Sequence, residues 1–239
     1  MRLDQLLVAR GLSRTRSQAK EAILRGAVTV DGLVARRAGQ NVSYQAEVVA
    51  EANPYVSRGG HKLSHALTSF GVEVAGKWAL DVGASTGGFT DVLLRNNAAH
   101  VIALDVGHDQ LEPTLRAHTR VTVIDGVNAR GLKAGDLPFA PELVVFDVSF
   151  ISLALVLPRV LALAADTCSL AGLVKPQFEV GRDGLGKGGI VRDHAAGERA
   201  VDQVIEVIAG LGFQPLGKTP SPITGADGNR EWLVAATRP

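Results

Sequence analysis

The sequence predicts an α/β protein: a mostly parallel sheet covered by helices on both faces, preceded by a small amino-terminal α+β module. Three observations carry this. From residue 78 onward, short apolar runs alternate with helical patterns, as in a parallel sheet buried on both sides. The first run, at 78–82, passes into three glycines within six residues and then into a helical apolar pattern at 89–94. Strand, glycine turn and helix in that order open a ligand site at the carboxyl edge of such a sheet. Residues 1–50 differ from the rest in both pattern and charge.

In that amino-terminal part Leu3, Leu6 and Leu7 share a helical face, and Gly11 stops the helix. Ser13 or Thr15 caps a second helix to about Arg25, with Ala19, Ala22 and Ile23 on its apolar side. Val28-Thr29-Val30 and Leu33-Val34 flank Asp31-Gly32, a strong hairpin signal, and a further strand falls at 47–50. The net charge is +1 overall but uneven. Residues 1–50 hold eight Lys/Arg against four Asp/Glu, and the remainder 17 against 20. Such asymmetry points the basic end toward a polyanion. The candidate contacts there are Arg10, Arg14, Arg16, Lys20, Arg36 and Arg37. Arg16 and Lys20 lie one helical turn apart and share a face, which is also what a plain solvated helix would show. The runs Leu12-Ser13-Arg14-Thr15-Arg16-Ser17-Gln18-Ala19 and Gly26-Ala27-Val28-Thr29-Val30-Asp31-Gly32 resemble the α-L RNA-binding module. Ribosomal proteins, pseudouridine synthases and tRNA synthetases share that module, and the resemblance implies a second helix and hairpin laid along RNA.

Pro54 interrupts regular structure, so the expected division is residues 1–52, a linker and domain entry at 53–60, and a second domain at 61–239. Lys62 begins a helix running to about Phe70, and Gly71 stops it. Strands are expected at 78–82, 100–105, 121–124, 143–146 and 169–174, then a helix at 195–209 and two final strands at 212–217 and 231–237. Five glycines within 181–189 read as a mobile loop over the site, with Arg182 and Lys187 available to phosphates; the plainer alternative is an insertion without function. Arg58, at the domain entry, joins them as a candidate RNA contact.

Composition excludes several classes. Apolar residues make up 46%, enough for a real core, and a single cysteine excludes a disulfide framework or a cysteine-rich metal site. One thiol fits a reducing cytoplasm. The start of the chain is charged at once, and the longest uncharged apolar stretch, 148–158, is too short to span a bilayer, so neither secretion nor membrane insertion is expected. The histidines are scattered along the chain, and no metal site is expected.

The glycine turn has the spacing Gly-x-x-x-Gly-Gly rather than the Gly-x-Gly-x-x-Gly of pyrophosphate-binding folds, and Asp81 before it would repel a phosphate. A turn without a ligand is the bland alternative. Asp81-Val82-Gly83-Ala84-Ser85-Thr86-Gly87-Gly88-Phe89 resembles the first motif of S-adenosylmethionine (SAM) methyltransferases. The resemblance implies a Rossmann-like sheet whose last strand runs antiparallel. It also implies that Asp81, Gly83, Ser85, Gly87, Gly88 and Phe89 surround the methionine part of SAM. Asp105, 22 residues after Gly83 at a strand end, suits the ribose hydroxyls of an adenosine, or else merely caps a turn. Asp125 or Asn128 then suits the adenine amine.

The carboxyl ends of the strands also carry Asp147 and Lys175. A final antiparallel strand brings Glu231, at its start, to the same edge, and Lys62 can fold over that mouth. Lys62, Asp147, Lys175 and Glu231 resemble the Lys–Asp–Lys–Glu set of FtsJ-like ribose 2′-O-methyltransferases, and the resemblance implies that they are catalytic. The chemistry suits the residue types. A ribose hydroxyl is a poor nucleophile, and a lysine desolvated beside a second cation can help remove its proton while carboxylates hold the lysines. Base N-methylation would instead show Pro-Pro-aromatic after the acid, where Val148-Ser149-Phe150 stands. Pyrimidine C5-methylation needs a cysteine in a loop, whereas Cys168 leads into a strand.

With Val56-Ser57-Arg58-Gly59-Gly60-His61-Lys62-Leu63, Asp147-Val148-Ser149-Phe150-Ile151-Ser152 and Leu173-Val174-Lys175-Pro176-Gln177-Phe178-Glu179, the whole chain resembles the TlyA-type haemolysin/rRNA methyltransferases. The resemblance implies cytidine 2′-O-methylation of ribosomal RNA, in subunits or the assembled ribosome. The amino end looks short beside members that modify both subunits, so the large subunit is the expected target. The rival readings are a membrane-active haemolysin and an RNA-binding protein without methyl transfer.

Overall fold

The computed structural model describes residues 1–13, 15–51, 53–225 and 228–239. The chain forms two compact units, Met1–Pro54 and Tyr55–Pro239.

In the first unit, α1 (Leu3–Ala9) and α2 (Arg16–Leu24) accompany a small antiparallel sheet of β1 (Val28–Val30), β2 (Leu33–Val34) and β3 (Val48–Ala50), ordered β2-β1-β3. Thr15 caps α2 by accepting from the Gln18 amide at 3.2 Å. Asp31 and Gly32 both take positive φ, 50° and 78°, as a two-residue hairpin turn between right-twisted strands requires. Leu3, Leu7, Ala19, Ile23 and Val28 close the core.

The second unit is built on a seven-stranded sheet of order β6-β5-β4-β7-β8-β10-β9. Its strands are β4 (Trp78–Val82), β5 (His100–Leu104), β6 (Val121–Ile124), β7 (Leu143–Phe146), β8 (Cys168–Val174), β9 (Gln214–Pro220) and β10 (Trp232–Arg238). Pairings from β6 through β8 are parallel, and β10 runs antiparallel to both its neighbours. Alternate residues of each strand feed two cores. Ala79, Val101, Val145 and Leu173 pack with α3 (Gly59–Phe70) and α4 (Gly88–Arg95). Leu80, Ile102, Val144 and Leu170 pack with α6 (Leu153–Leu161) and α7 (His194–Gly210). Both faces are covered, which is why the strands read as unbroken apolar runs. α5 (Pro113–Arg116) is a single turn.

The stretch read as linker and domain entry divides at Pro54. Tyr55–Gly60 lie in the second unit, where the Val56 amide donates to the buried Asp91 at 2.9 Å and α3 has already begun by Gly59. Lys62 therefore sits within the first turn of α3 rather than at its start. β9 and α7 are also displaced by one to three residues from their expected bounds.

The glycine-rich segment 181–189, which composition reads as a mobile loop, is folded into short turns. Two 3-10 turns, Arg182–Gly184 and Lys187–Gly189, are closed by the Gly186 amide on the Ile190 carbonyl at 2.7 Å. Asn229, buried and 38 residues away from Val191, accepts from the Val191 amide at 3.0 Å and donates to the Gly189 carbonyl at 3.1 Å. A staple that distant has no local sequence signature.

Candidate active site

Asp81, Gly83, Asp147 and Lys175 all follow from the sheet's order. β4 is central, β7 and β8 succeed it in space, and every parallel strand delivers its last residue to one edge. β10, entering antiparallel beside β8, delivers its preceding residue Glu231 there too. A cleft of about 430 Å³ opens at that edge, within the usual range for a small-molecule site. Arg58, Lys62, Asp147, Lys175 and Glu231 line it, together with Gly83, Ser85, Gly88 and Phe89 of the glycine turn.

The four charged residues form two pairs. Lys62 Nζ donates to Glu231 Oε2 at 2.5 Å, with both side chains almost wholly buried. Lys175 Nζ lies 2.6 Å from Asp147 Oδ1 and donates to Ser149 Oγ at 2.7 Å. This second pair is more open, at 12% and 22% side-chain exposure, so it is the pair a polymer substrate can reach. Lys175 has the extended backbone (φ −107°, ψ 99°) that a following proline imposes. Gly83, at φ 86°, lets the β4 turn pass against the strand end that carries Asp147. A Cβ there would stand 2.8 Å from the Asp147 carbonyl oxygen.

Asp81 is fully buried under this turn. Thr90 donates to its Oδ2 at 2.7 Å, while Oδ1 has no hydrogen-bond partner among the described residues. Burial pushes its carboxyl up to about 7, against the Thr90 hydrogen bond, with the negative charges of Asp147 and Asp105 adding to the rise. A buried carboxylate with one oxygen unused fits the cationic amine of a methionine group, and the close-packed glycines leave room for it. The residues present thus suit SAM, and no phosphate would be tolerated beside Asp81. Asp105 lies next to the turn, accepting from the Ser85 amide at 2.8 Å and the Gly107 amide at 2.7 Å, which fixes its carboxylate for a further donor pair.

Asp125 directly follows β6, as expected, and both adenine-side candidates have partners of their own. Asp125 is engaged by Arg116 at 2.5 Å and accepts from the Asp109 amide at 3.2 Å, so the guanidinium holds its carboxyl below the usual range. Asn128 is exposed and caps the turn Ala129–Gly131 through the Arg130 amide. Neither lines the cleft, and among the other cofactor candidates Asp81, Gly87 and Asp105 also lie off its lining.

The basic candidates also separate. Arg16 pairs with the buried Asp4 at 2.9 Å, and Arg10 donates to the Ala46 carbonyl at 2.8 Å and to the Tyr44 carbonyl. Both help to hold the first unit together. Lys20, Arg36 and Arg37 are exposed, as are Arg182 and Lys187 in the second unit. Arg14 lies outside the described residues.

The sequence reading missed the apolar lip of the cleft. Phe150 and Phe178 face each other at 5.1 Å between ring centroids, and Phe150 is 90% exposed with φ 63°. A phenylalanine in left-handed backbone is costly and uncommon. The signal was present, since Phe150 and Phe178 each follow a pair residue, Asp147 and Lys175, by three positions. Cys168 is buried, and burial pushes its thiol up to about 11, as suits a core residue rather than a nucleophile.

Comparison with known proteins agrees with this geometry. The FtsJ-like methyltransferase model matches residues 55–238, and the S4 domain model matches residues 1–49. The chain is 46% identical over 236 residues to the 16S/23S rRNA (cytidine-2′-O)-methyltransferase TlyA of Mycobacterium tuberculosis, covering 98% of this chain and 88% of that protein. It is 40% identical to Hemolysin A of Brachyspira hyodysenteriae, covering 98% of each. A hemolysin-named solved structure from Streptococcus thermophilus superposes over all of this chain and 88% of that one, with a TM-score of 0.78 and 39% identity. On the matched domains, the sheet order and these identities, the chain belongs to the FtsJ-like methyltransferase family, with an S4 domain at its amino end.

Proposed function

We propose that this protein transfers the methyl group of SAM to the ribose 2′-hydroxyl of a cytidine in ribosomal RNA, with the large subunit as its main target and the cytoplasm as its compartment. The observation that carries the reading is the convergence of Lys62–Glu231 and Lys175–Asp147 on one cleft beside the glycine turn. When bound, SAM supplies an electrophilic methyl on a sulfonium. The chain's own residues do the rest. Asp81 and the glycine turn hold the amino-acid end, and Asp105 holds the ribose. Lys175, braced by Asp147 and Ser149, stands where an incoming hydroxyl must lose its proton. Lys62 and Glu231 neutralise each other in the buried wall and fix the cleft's shape. The TlyA relative named for both subunits supports the RNA class. A relative from Campylobacter jejuni, 38% identical over 75% of this chain, is named for 23S rRNA alone and supports the large-subunit preference. Incubating the protein with labelled SAM and isolated large or small subunits tests that preference. Label confined to the small subunit would contradict it.

SAM binds without RNA on this reading. Replacing Asp105 with alanine should weaken that binding by about 1–3 kcal/mol, the usual cost of removing a charged acceptor from buried donors. Calorimetry that finds NAD bound and SAM ignored would overturn the cofactor assignment.

Residues 1–49 supply phosphate contacts on the same reading. Because Arg10 and Arg16 serve internal bonds, the exposed Lys20, Arg36 and Arg37 are the ones to test. Changing all three to alanine should flatten the plot of log affinity against log salt by about 2 to 3 units, at roughly 0.7–0.9 per phosphate contact. SAM affinity should not change. An unaltered slope would mean that these side chains are only solvated.

Two relatives carry a hemolysin name. No helix among the described residues is long and apolar enough to cross a membrane.

A further inference from the structure

We propose that Glu179 is a positioning residue that locks the two loops carrying Asp147 and Lys175 into one register. This rests on the methyl-transfer reading of the site. The two loops leave adjacent parallel strands, β7 and β8. At the mouth they are joined by Lys175 to Asp147 and Ser149. Behind the mouth they are joined again by one carboxylate. Glu179 Oε2 accepts from Ser152 Oγ at 2.6 Å, and Oε1 accepts from the Leu153 amide at 2.9 Å. Glu179 ends the 3-10 turn Pro176–Phe178 that begins directly after Lys175, and Ser152 and Leu153 open α6 directly after the Asp147 loop.

Ordinary helix capping does not need this bridge. Ser152 Oγ already accepts from the Ala154 amide at 3.2 Å, so α6 has its own cap. What Glu179 adds is a connection across 26 residues of sequence. It also anchors the residues just after Phe150, whose left-handed backbone must be held from both sides. The bonds are made in a half-buried setting, and burial raises the Glu179 carboxyl from its ordinary value, against the bonds from Ser152 and Leu153. A carboxylate kept there at such a cost is consistent with a task beyond solvation. With the rear tie gone, Lys175 and Asp147 keep their chemistry but lose their fixed separation.

The test uses the full chain with isolated large ribosomal subunits as the methyl acceptor and labelled SAM, under single-turnover conditions. Glu179→Ala should lower the transfer rate about 30-fold, within the loss of up to about 100-fold that a misplacement of an ångström can cause, while SAM affinity by calorimetry stays within about threefold. Glu179→Gln should restore the rate to within about threefold of wild type, since its amide oxygen can accept from the Leu153 amide while its nitrogen donates to Ser152 Oγ, reversing that bond but keeping the tie. Leu157→Ala, a destabilising core change in α6 that does not touch the bridge, is the stability control and should keep a near-normal rate. The proposal falls if Glu179→Ala transfers normally, if Glu179→Gln is as impaired as alanine, or if Leu157→Ala loses as much rate. Lys175→Ala in the same assay separates the two levels. A normal rate there refutes the site reading itself, whereas a collapse there beside a normal Glu179→Ala refutes only the positioning role.

Discussion

Lys175→Ala is expected to cut methyl transfer by roughly 100-fold or more, the range typical of a positioned acid–base group, while leaving SAM and RNA affinity within a few-fold of wild type. The geometry sets this expectation. Lys175 stands at the end of a buried strand with its backbone fixed by Pro176, and its amine is shared between Asp147 and Ser149 at 2.6 and 2.7 Å. It is the more exposed of the two lysines, so an RNA ribose can reach it. Lys175→Arg should fail as well, because a guanidinium keeps its proton at any accessible pH and its fork does not fit a single-point contact. Substantial activity in the arginine variant would instead mean that the side chain only orients the hydroxyl by donating a hydrogen bond. Single-turnover rates across pH 6–9 with saturating SAM separate these cases, and a near-normal rate for Lys175→Ala would remove the residue from the chemistry.

The second large effect concerns Asp81. Its carboxyl, pushed up to about 7, is protonated in the free protein at mildly acid pH, while the unfolded chain holds an ordinary aspartate. Between about pH 4 and 7 the folded state therefore binds the extra proton, and this group's contribution to stability falls as pH rises through that window. The total is on the order of 4 kcal/mol at about 1.4 kcal/mol per unit. Binding a cationic amine at the unused Oδ1 reverses the preference, so SAM binding expels the proton. SAM affinity should rise about tenfold per unit as pH climbs toward 7 and level off above it. Asp81→Asn should lower SAM affinity by about 100-fold at pH 8, since a buried ammonium then lacks its counter-charge. The same variant should raise the thermal midpoint of the free protein at that pH by a few degrees, because a buried uncompensated charge is removed. Pairing a gain in stability with a loss of ligand affinity is the mark of a residue kept for binding. Unchanged SAM affinity across pH 5.5–8 would contradict the assignment.

Much of this site was legible in the sequence because an α/β sheet turns strand order into location. Once 143–146 and 169–174 read as parallel strands, Asp147 and Lys175 had to share an edge, and a reversed last strand brought Glu231 to it. The pairing was not legible. That Lys62 meets Glu231 while Lys175 meets Asp147 depends on β10 lying beside β8 and on α3 beginning at Gly59, neither of which a local pattern states. The same limit explains the basic residues. A charge count treats Arg10, Arg16 and Lys20 alike, yet Arg10 reaches carbonyls 34 and 36 positions away and Arg16 reaches Asp4, leaving Lys20 exposed. Asp125 is legible from its place after a strand, whereas its partner Arg116, nine positions earlier, is not. Composition reads 181–189 as a mobile loop, because glycine content reports local freedom and says nothing of a staple such as Asn229. Phe150 shows the opposite case, a residue in left-handed backbone that its own side chain disfavours.

The most direct test of the central claim is the chemical identity of the product. Large subunits labelled with methyl from SAM are digested to nucleosides, and a parallel sample is hydrolysed with alkali. Ribose 2′-O-methylation of cytidine should place the label in 2′-O-methylcytidine, and in an alkali-resistant dinucleotide, because the blocked hydroxyl can no longer attack its phosphate. Label recovered in a base-methylated nucleoside, with full alkali cleavage, would contradict it.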